Sequence, residues 1–437
     1  MVLIYMYSQP SQVGVALSSI GFNAFFGTTG LGPVAFTGPF NLLPLTTSPL
    51  PLAGRLVPQP SDSGLAAVST VFNNFIHGMN SNLTVQGTSA GPSSVRDKCQ
   101  RSDRSLKLHI PQVTWLNEGI QALQVATFLP NQGKLNIIES IDLAQLSLMF
   151  TQATEWGPAT GSNNTLAAFT LPFNFPVDII ALAQNITTGF NGVNFAELIV
   201  PQGPTTTDIA ARIIHLTFAN IPFAVFGNKH NVFSDFLAAT TTGREQTLSL
   251  TGAANVQAST GVGTLSLQDI EFSVDSTIAG LQGLDAQPAS VSNLDVASGT
   301  PDFLLITVDT TLFNPSNLTI GTGDLSCNLQ FQGATIGSAL LNAVVLVPGN
   351  VSYPTNVHYA PHGSAVTAGQ HLLENYIQGV NSDTVIQGST SSTPIASLQE
   401  AMSQIKLSPV VIPAIHQLLI PSAALEFPTN IVQTGIA

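Results

Sequence analysis

The stretch Phe75-Ile76-His77-Gly78-Met79-Asn80-Ser81-Asn82-Leu83-Thr84-Val85-Gln86-Gly87 returns as Tyr376-Ile377-Gln378-Gly379-Val380-Asn381-Ser382-Asp383-Thr384-Val385-Ile386-Gln387-Gly388, at a constant offset of 301. A fainter middle copy runs from Phe236-Leu237 to Leu250-Thr251-Gly252. Self-similarity at a fixed period signals a repeat architecture. Upstream of each copy lies an apolar stretch ending in Val-Pro: Val57-Pro58, Val200-Pro201 and Val347-Pro348, with the prolines 143 and 147 residues apart. Three units of about 145 residues account for 437 residues, in line with typical domain size. The expected boundaries are 1–127, 128–275 and 276–437, with the first unit incomplete at its start.

Within each unit the pattern is short strands, one helix, then more strands. In the last copy Val366, Leu372, Leu373, Tyr376 and Ile377 favour one helical face, with Ser364 near the start and Gly379 as the stop. In the first copy Ser61 or Asp62 can cap the helix, Leu65, Val68, Phe72 and Ile76 form its stripe, and Gly78 ends it. Asn-Ser-Asn or Asn-Ser-Asp then turns the chain into a Val/Ile/Thr strand. A single amphipathic helix that closes a β-sandwich is the expected role.

Apolar residues make up 44% of the chain and charged residues only 8%, against about 25% in ordinary soluble domains. The 24 Phe, against 2 Trp and 5 Tyr, suit core filling. Solubility then rests on Ser, Thr, Asn and Gln, which fits an extracytosolic or lumenal protein. A net charge of −13 disfavours binding to phosphate backbones, so no nucleic-acid partner is expected. Cys99 and Cys327 lie far apart with no CxxC spacing, so neither a zinc site nor a disulfide framework is read. The longest apolar run, Ala339 to Val347, is broken by Asn342 and is too short to span a bilayer, so the chain carries no expected transmembrane helix of its own. Residues 1–54 contain no Asp, Glu, Lys or Arg, but Gly and Pro cut them into strand-and-turn lengths.

The run Leu304-Leu305-Ile306-Thr307-Val308-Asp309-Thr310-Thr311-Leu312-Phe313-Asn314-Pro315, followed by Gly323-Asp324-Leu325-Ser326 and Gly337-Ser338-Ala339, resembles the β-sandwich of late embryogenesis abundant type-2 proteins. Val385-Ile386-Gln387-Gly388 and Pro409-Val410-Val411-Ile412-Pro413 are similar to the fungal family known as domain of unknown function 3712. The resemblance covers essentially the whole chain. It implies a mainly β protein of tandem, immunoglobulin-like antiparallel sandwiches, each with one amphipathic helix. It also implies a membrane-anchored endomembrane protein, with these units on the lumenal side in a vacuolar or ER setting, or outside the cell.

Five of the eleven basic residues, Arg96, Lys98, Arg101, Arg104 and Lys107, fall in one short stretch. From the Gln-Gly glycine to the next aligned strand, the third copy spans Gly388 to Ile405 and the second Gly252 to Ile270, or 17 and 18 positions; the first spans Gly87 to Leu123, or 36. The excess lies near residues 95–112 and reads as translated intron sequence. A polybasic loop for anionic lipid or nucleic acid and a plain surface loop are the alternatives. Beyond it Leu116-Asn117-Glu118-Gly119-Ile120 matches Leu398-Gln399-Glu400-Ala401-Met402.

Gly87-Thr88-Ser89-Ala90-Gly91 spells a nucleophile elbow, which needs a strand before it and a helix directly after; Pro92-Ser93-Ser94 follows instead, and the motif is absent from the other copies. His358 and His362 have zincin spacing, but Pro361 and Gly363 forbid a regular helix there, so they read as a solvated loop pair. Glu139 and Asp142 read as a polar strand edge rather than an acid–base couple, and Gly261-Val262-Gly263 lacks the third glycine of a dinucleotide loop. No catalytic, cofactor-binding or metal-ligating residue is assigned, no cofactor is expected, and the protein is read as non-enzymatic. Sequons at Asn82, Asn163, Asn185, Asn317 and Asn350 are candidate N-glycosylation sites. The leading expectation is a structural or interaction module contacting other membrane or lumenal proteins. The alternative is lipid or apolar-ligand binding or transfer in a sandwich cleft.

Overall fold

The computed structural model describes residues 2–8, 15–43, 45–92, 114–131, 133–172 and 175–413. The basic stretch near 95–112 and Cys99 therefore lie outside the described residues. The protein is mainly β, with 58% strand and 17% helix.

The first group of elements is β1 (Val2–Ser8), β2 (Val15–Phe26), β3 (Thr29–Leu42), β4 (Thr47–Gly54), α1 (Asp62–Ile76), β5 (Ser81–Pro92), α2 (Thr114–Gln121) and β6 (Gln124–Leu129). The second is β7 (Ile138–Met149), β8 (Ala159–Phe169), β9 (Asp178–Phe190), β10 (Val193–Asp208), β11 (Ile213–Val225), α3 (His230–Thr242), β12 (Glu245–Thr260) and β13 (Gly263–Ala279). The third is β14 (Ser290–Gly299), β15 (Leu304–Asn314), β16 (Thr319–Phe331), β17 (Ala334–Leu346), β18 (Gly349–Tyr359), α4 (Val366–Ile377), β19 (Ser382–Gln387), α5 (Gln399–Ser403) and β20 (Lys406–Ile412).

Strand order repeats with the sequence. The second group runs β7-β8-β11-β10-β9-β12-β13 and the third β14-β15-β18-β17-β16-β19-β20. The first runs β1-β4-β3-β2-β5-β6, the same order without a counterpart of β7. In the third group a parallel bridge, Ser290 to Val411, together with β16–β19 pairing closes the strands into a seven-stranded barrel. β7 instead pairs in parallel with β16 of the next group, matching Ser147 to Thr319 and Met149 to Gly321.

Local chemistry explains the recurring segment. α1 is capped by Ser61, whose hydroxyl accepts from Gly64 N at 3.2 Å, so of the two cap candidates Ser61 serves. At its end Gly78 adopts φ 71, Met79 N donates to Asn74 O and Gly78 N to Phe75 O. One repeat later Gly379 has φ 78, Val380 N donates to Asn375 O and Gly379 N to Tyr376 O. This is the same left-handed glycine stop in both copies. Asn74 and Asn375 each donate to the buried serine that starts the next strand, Ser81 and Ser382, both at 3.1 Å.

In its local structure the chain departs from the sequence reading at three places. The first and third groups each carry a second short helix, α2 and α5, at the segments aligned on Leu116–Ile120 and Leu398–Met402, whereas the second continues there as the β12–β13 hairpin. Pro201 does not end a strand: β10 passes through it because a register shift between Val200 and Gly203 spares the ladder a proline N–H. His358 lies on β18 rather than in a loop, since its exposed side chain alternates with buried Val357 and Tyr359.

Phenylalanines fill the core of the second group. Phe233 is fully buried and meets the rings of Phe150, Phe195, Phe223 and Phe236 at centroid distances of 6.1, 5.9, 5.8 and 6.4 Å. The interior hollow among Leu143, Leu146, Leu198, Phe223 and Leu250 is only about 20 Å³.

Candidate functional site

The helices were expected to close their own sheets. Instead α1 and α3 pack mainly across a group boundary. α1 carries Ser69, Asn73 and His77 at i, i+4 and i+8, which fall on one helical line. That line meets the edge strand β13. Ser69 Oγ accepts from Ser266 N at 3.0 Å, Asn73 Oδ1 accepts from Gln268 N at 3.0 Å, and His77 Nε2 lies 3.0 Å from Asp269 O. A sheet edge exposes unpaired N–H and C=O groups, and this stripe occupies them. Leu65 packs on Gly263, where an added Cβ would stand 2.5 Å from its side chain. α3 also crosses to the next group, where it lies on α5 and the preceding 3₁₀ turn Ala396–Leu398; at the same boundary Ala396 N donates to Glu155, outside α3, at 2.9 Å.

A groove of about 480 Å³ lies where the second and third groups meet. Gln145, Ser147 and Met149 of β7, Thr160, Ser162 and Asn163 of β8, Phe218 and Asn220 of β11, and Thr319 and Pro348 line it. Every one is uncharged. Register shifts between β11 and β8, from Leu216 to Phe218 and from Phe218 to Ile221, break the regular ladder at this place. Such bulges re-aim side chains. Gln145 and Asn220 sit at φ 55 and 56, the left-handed region that costs a non-glycine residue energy. Ser147 and Ser162 spend their hydroxyls on Gly161 O and Ala144 O, at 3.0 and 2.8 Å. The amides of Gln145, Asn163 and Asn220 remain on the groove lining, a surface suited to hydrogen-bonding a neutral polar partner.

A second hollow, about 290 Å³, is lined by Phe169, Leu171, Phe175, Pro176, Val177, Ile209 and Arg212. It joins apolar walls to one cation.

The residues singled out in the sequence scatter over the molecule. Gly87 to Gly91 lie inside β5, so Ser89 occupies no strand-to-helix elbow. Gly261 to Gly263 form the β12–β13 turn. His358 lies against Phe303, with ring centroids 4.4 Å apart, while His362 precedes the 3₁₀ turn Gly363–Ala365. Glu139 and Asp142 project from β7 into solvent. Among the described residues, no three His, Cys, Asp or Glu side chains group to hold a metal ion. Cys327 is buried, and burial raises its thiol pKa above the usual range, offset in part by a bond with Ser392. Asn82, Asn163, Asn185 and Asn350 are exposed, whereas Asn317 is half-buried and its Oδ1 accepts from Ala279 N at 3.1 Å. No helix among the described residues is long and apolar enough to cross a membrane.

Burial pushes the phenols of Tyr353 and Tyr359 up to about 12 from an ordinary 10.0, and the Tyr353 hydroxyl donates to Val345 O at 2.6 Å. A phenol whose pKa is raised by folding holds its proton more tightly when folded. Its contribution to stability is complete below pH 10.0 and is lost as pH climbs toward about 12. Ultraviolet titration should show two tyrosines ionising late, in step with alkaline unfolding. Tyr359→Phe, which keeps the ring, should remove one late titration and flatten the alkaline loss.

Sequence reasoning did not pick out the groove or the Ser69/Asn73/His77 stripe. The stripe had a readable signal, three polar residues at i, i+4 and i+8 beside an apolar face. The groove had none, because bulges and an inter-group strand pairing assemble it from residues 145–163, 218–220, 319 and 348.

A family model described as protein of unknown function (DUF3712) matches residues 219–329, from within β11, through α3, to within β16. No curated protein matches the chain.

Proposed function

We propose that this chain is a non-enzymatic interaction module, built of tandem immunoglobulin-like antiparallel β-sandwiches of the late embryogenesis abundant type-2 kind. Its setting in this reading is the lumenal or extracellular side of a membrane-anchored fungal endomembrane protein, vacuolar or in the ER. The observation that carries the contact role is the groove, which sits at the junction of two groups and offers neutral amides, hydroxyls and apolar walls. Such a lining recognises another surface by hydrogen bonding and shape. The match over residues 219–329 supports the family part of the reading.

The test is cross-linking mass spectrometry in the native membrane, comparing the chain with Asn220→Arg. A contact protein predicts cross-links concentrated around residues 145–163 and 218–220, lost in the variant. An unchanged set of cross-linked partners would remove the groove from the reading. Passage through a secretory lumen predicts glycans at the exposed Asn82, Asn163, Asn185 and Asn350, with Asn317 least occupied because its side chain already holds Ala279 N–H. Glycopeptide mass spectrometry reads this directly; unmodified sequons throughout would count against a lumenal setting. A glycan on Asn163 would stand in the groove, so the cross-linking is best repeated on Asn163→Gln.

The second reading, an apolar or lipid ligand, is favoured by the hollow around Phe175, Ile209 and Arg212, where apolar walls flank one guanidinium. The interior cleft of the second group is too small for a lipid, at about 20 Å³. Co-purifying anionic lipid that Arg212→Ala abolishes would support it, and lipid-free protein by native mass spectrometry would eliminate it.

A further inference from the structure

We infer that the face of α4 formed by Val366, Gln370, Leu373 and Ile377 docks on α2 of a second copy of this chain, joining copies head to tail. Two boundaries inside the molecule show the rule. α1 of the first group lies on residues 262–269 of the second, and α3 of the second lies on residues 396–403 of the third. Both acceptor segments hold one position in the repeat, between the Gly252 or Gly388 glycine and the start of the last stretch at Ile270 or Ile405. Each group's helix therefore covers the segment ahead of the next group's final strand.

Among the described residues, one helix and one acceptor have no such partner. Among the described residues, α4 packs chiefly on elements of its own group, and α2, which occupies the acceptor position of the first group, packs chiefly on β5. The faces can be compared residue by residue at the offset of 301. Leu65, Ser69, Phe72 and Ile76 are half-buried or buried against the neighbouring elements, and Ile76 is 3% exposed. Their counterparts are Val366 at 39%, Gln370 exposed, Leu373 half-buried and Ile377 at 70%. Glu374 and Gln378, the counterparts of Asn73 and His77, are exposed as well and continue the polar line. On α2, Glu118, Gly119 and Gln121 are exposed. The exposed face of α4 as donor and α2 as acceptor make the chain complementary to itself through unlike surfaces, the geometry of open head-to-tail association.

With a net charge of −13, copies repel one another, so association should strengthen as salt screens that repulsion. The experiment is sedimentation velocity of the full chain over a concentration series, at low and moderate salt. The expected result is mass rising with concentration into elongated species. Val366→Arg with Ile377→Arg disables the donor, and Glu118→Arg with Gln121→Arg disables the acceptor. All four side chains are surface-accessible, and each pair lowers the net negative charge, which would favour non-specific clumping. Each variant alone should stay monomeric, yet the two mixed should form a one-to-one complex, because one intact donor meets one intact acceptor.

Three results would overturn the proposal: a wild-type chain that stays monomeric throughout, variants that associate as the wild type does, or mixed variants that form no complex. A chain ending at residue 413 serves as the further comparison. Association by that form and not by the full chain would make residues 414–437 the occupant of α4 and would equally overturn a second copy.

Discussion

Gly388→Ala is expected to destabilise the third group by about 2–3 kcal/mol, the upper part of the range for forcing an extra methyl into a packed site. A Cβ at Gly388 would stand 2.0 Å from Met402 O. That oxygen belongs to backbone in α5 and cannot swing aside as a flexible side chain could. The glycine's own N–H donates to Ile405 O at 2.9 Å, so retreat of the strand would break this bond. The first group has the same arrangement: Gly87 N donates to Leu123 O at 3.0 Å, and a Cβ there would fall 1.9 Å from Ile120 O. In the second group, where no short helix follows, the aligned Gly252 faces Asn185 O at 2.0 Å instead. Gly333→Ala is the control. Its φ of 79 makes alanine cost about 1–2 kcal/mol through backbone conformation alone, since nothing lies near an added Cβ. Denaturant midpoints should therefore fall further for Gly388→Ala than for Gly333→Ala. The reverse order would mean that α5 yields readily and that the repeat glycine is there for another reason.

Phe233→Ala should cost about 3–5 kcal/mol, as truncation of a fully buried aromatic does when its surroundings cannot collapse. Four phenylalanine rings and Trp156 surround this side chain. They project from several elements, so no single shift fills the void. Because α3 bears Phe233 on one side and meets α5 on another, the loss should pass to the neighbouring group. Hydrogen exchange should rise in residues 230–242 and again in residues 396–403. Exchange confined to the second group would show the two to be energetically independent.

The recurring helix stop was legible because every contact it needs is local. Gly78 and Gly379 reverse the chain within five residues of the carbonyls they satisfy, and Asn74 or Asn375 reaches a serine seven positions on. The strand character of the described residues between 2 and 54 and the absence of an elbow at Ser89 were legible for the same reason, since alternation and turn residues act over a few positions. Legibility failed where a neighbour distant in sequence decided. His358 looked like part of a loop because Pro361 and Gly363 stand beside it, yet pairing with Leu305 and Ser338 holds it in a strand. Pro201 looked like a terminus, yet partners on both flanks carry β10 past it.

By itself, then, the sequence determined the mainly β class, the repeat, its helix stops and the glycine that each copy places before its last strand. Those follow from φ preferences, capping and side-chain period, which are properties of a few adjacent residues. Only the tertiary structure decided that the third group closes through Ser290 and Val411, that β7 joins β16, and that α1 and α3 cover the following group rather than their own. Ser69 and Ser266 are 197 residues apart, and Asn73 and Gln268 are 195 apart. An apolar stripe states that a helix must be covered and leaves open what covers it, because hydrophobic burial carries no direction. The partner is chosen by shape and by unpaired edge amides that come together only once the chain has folded.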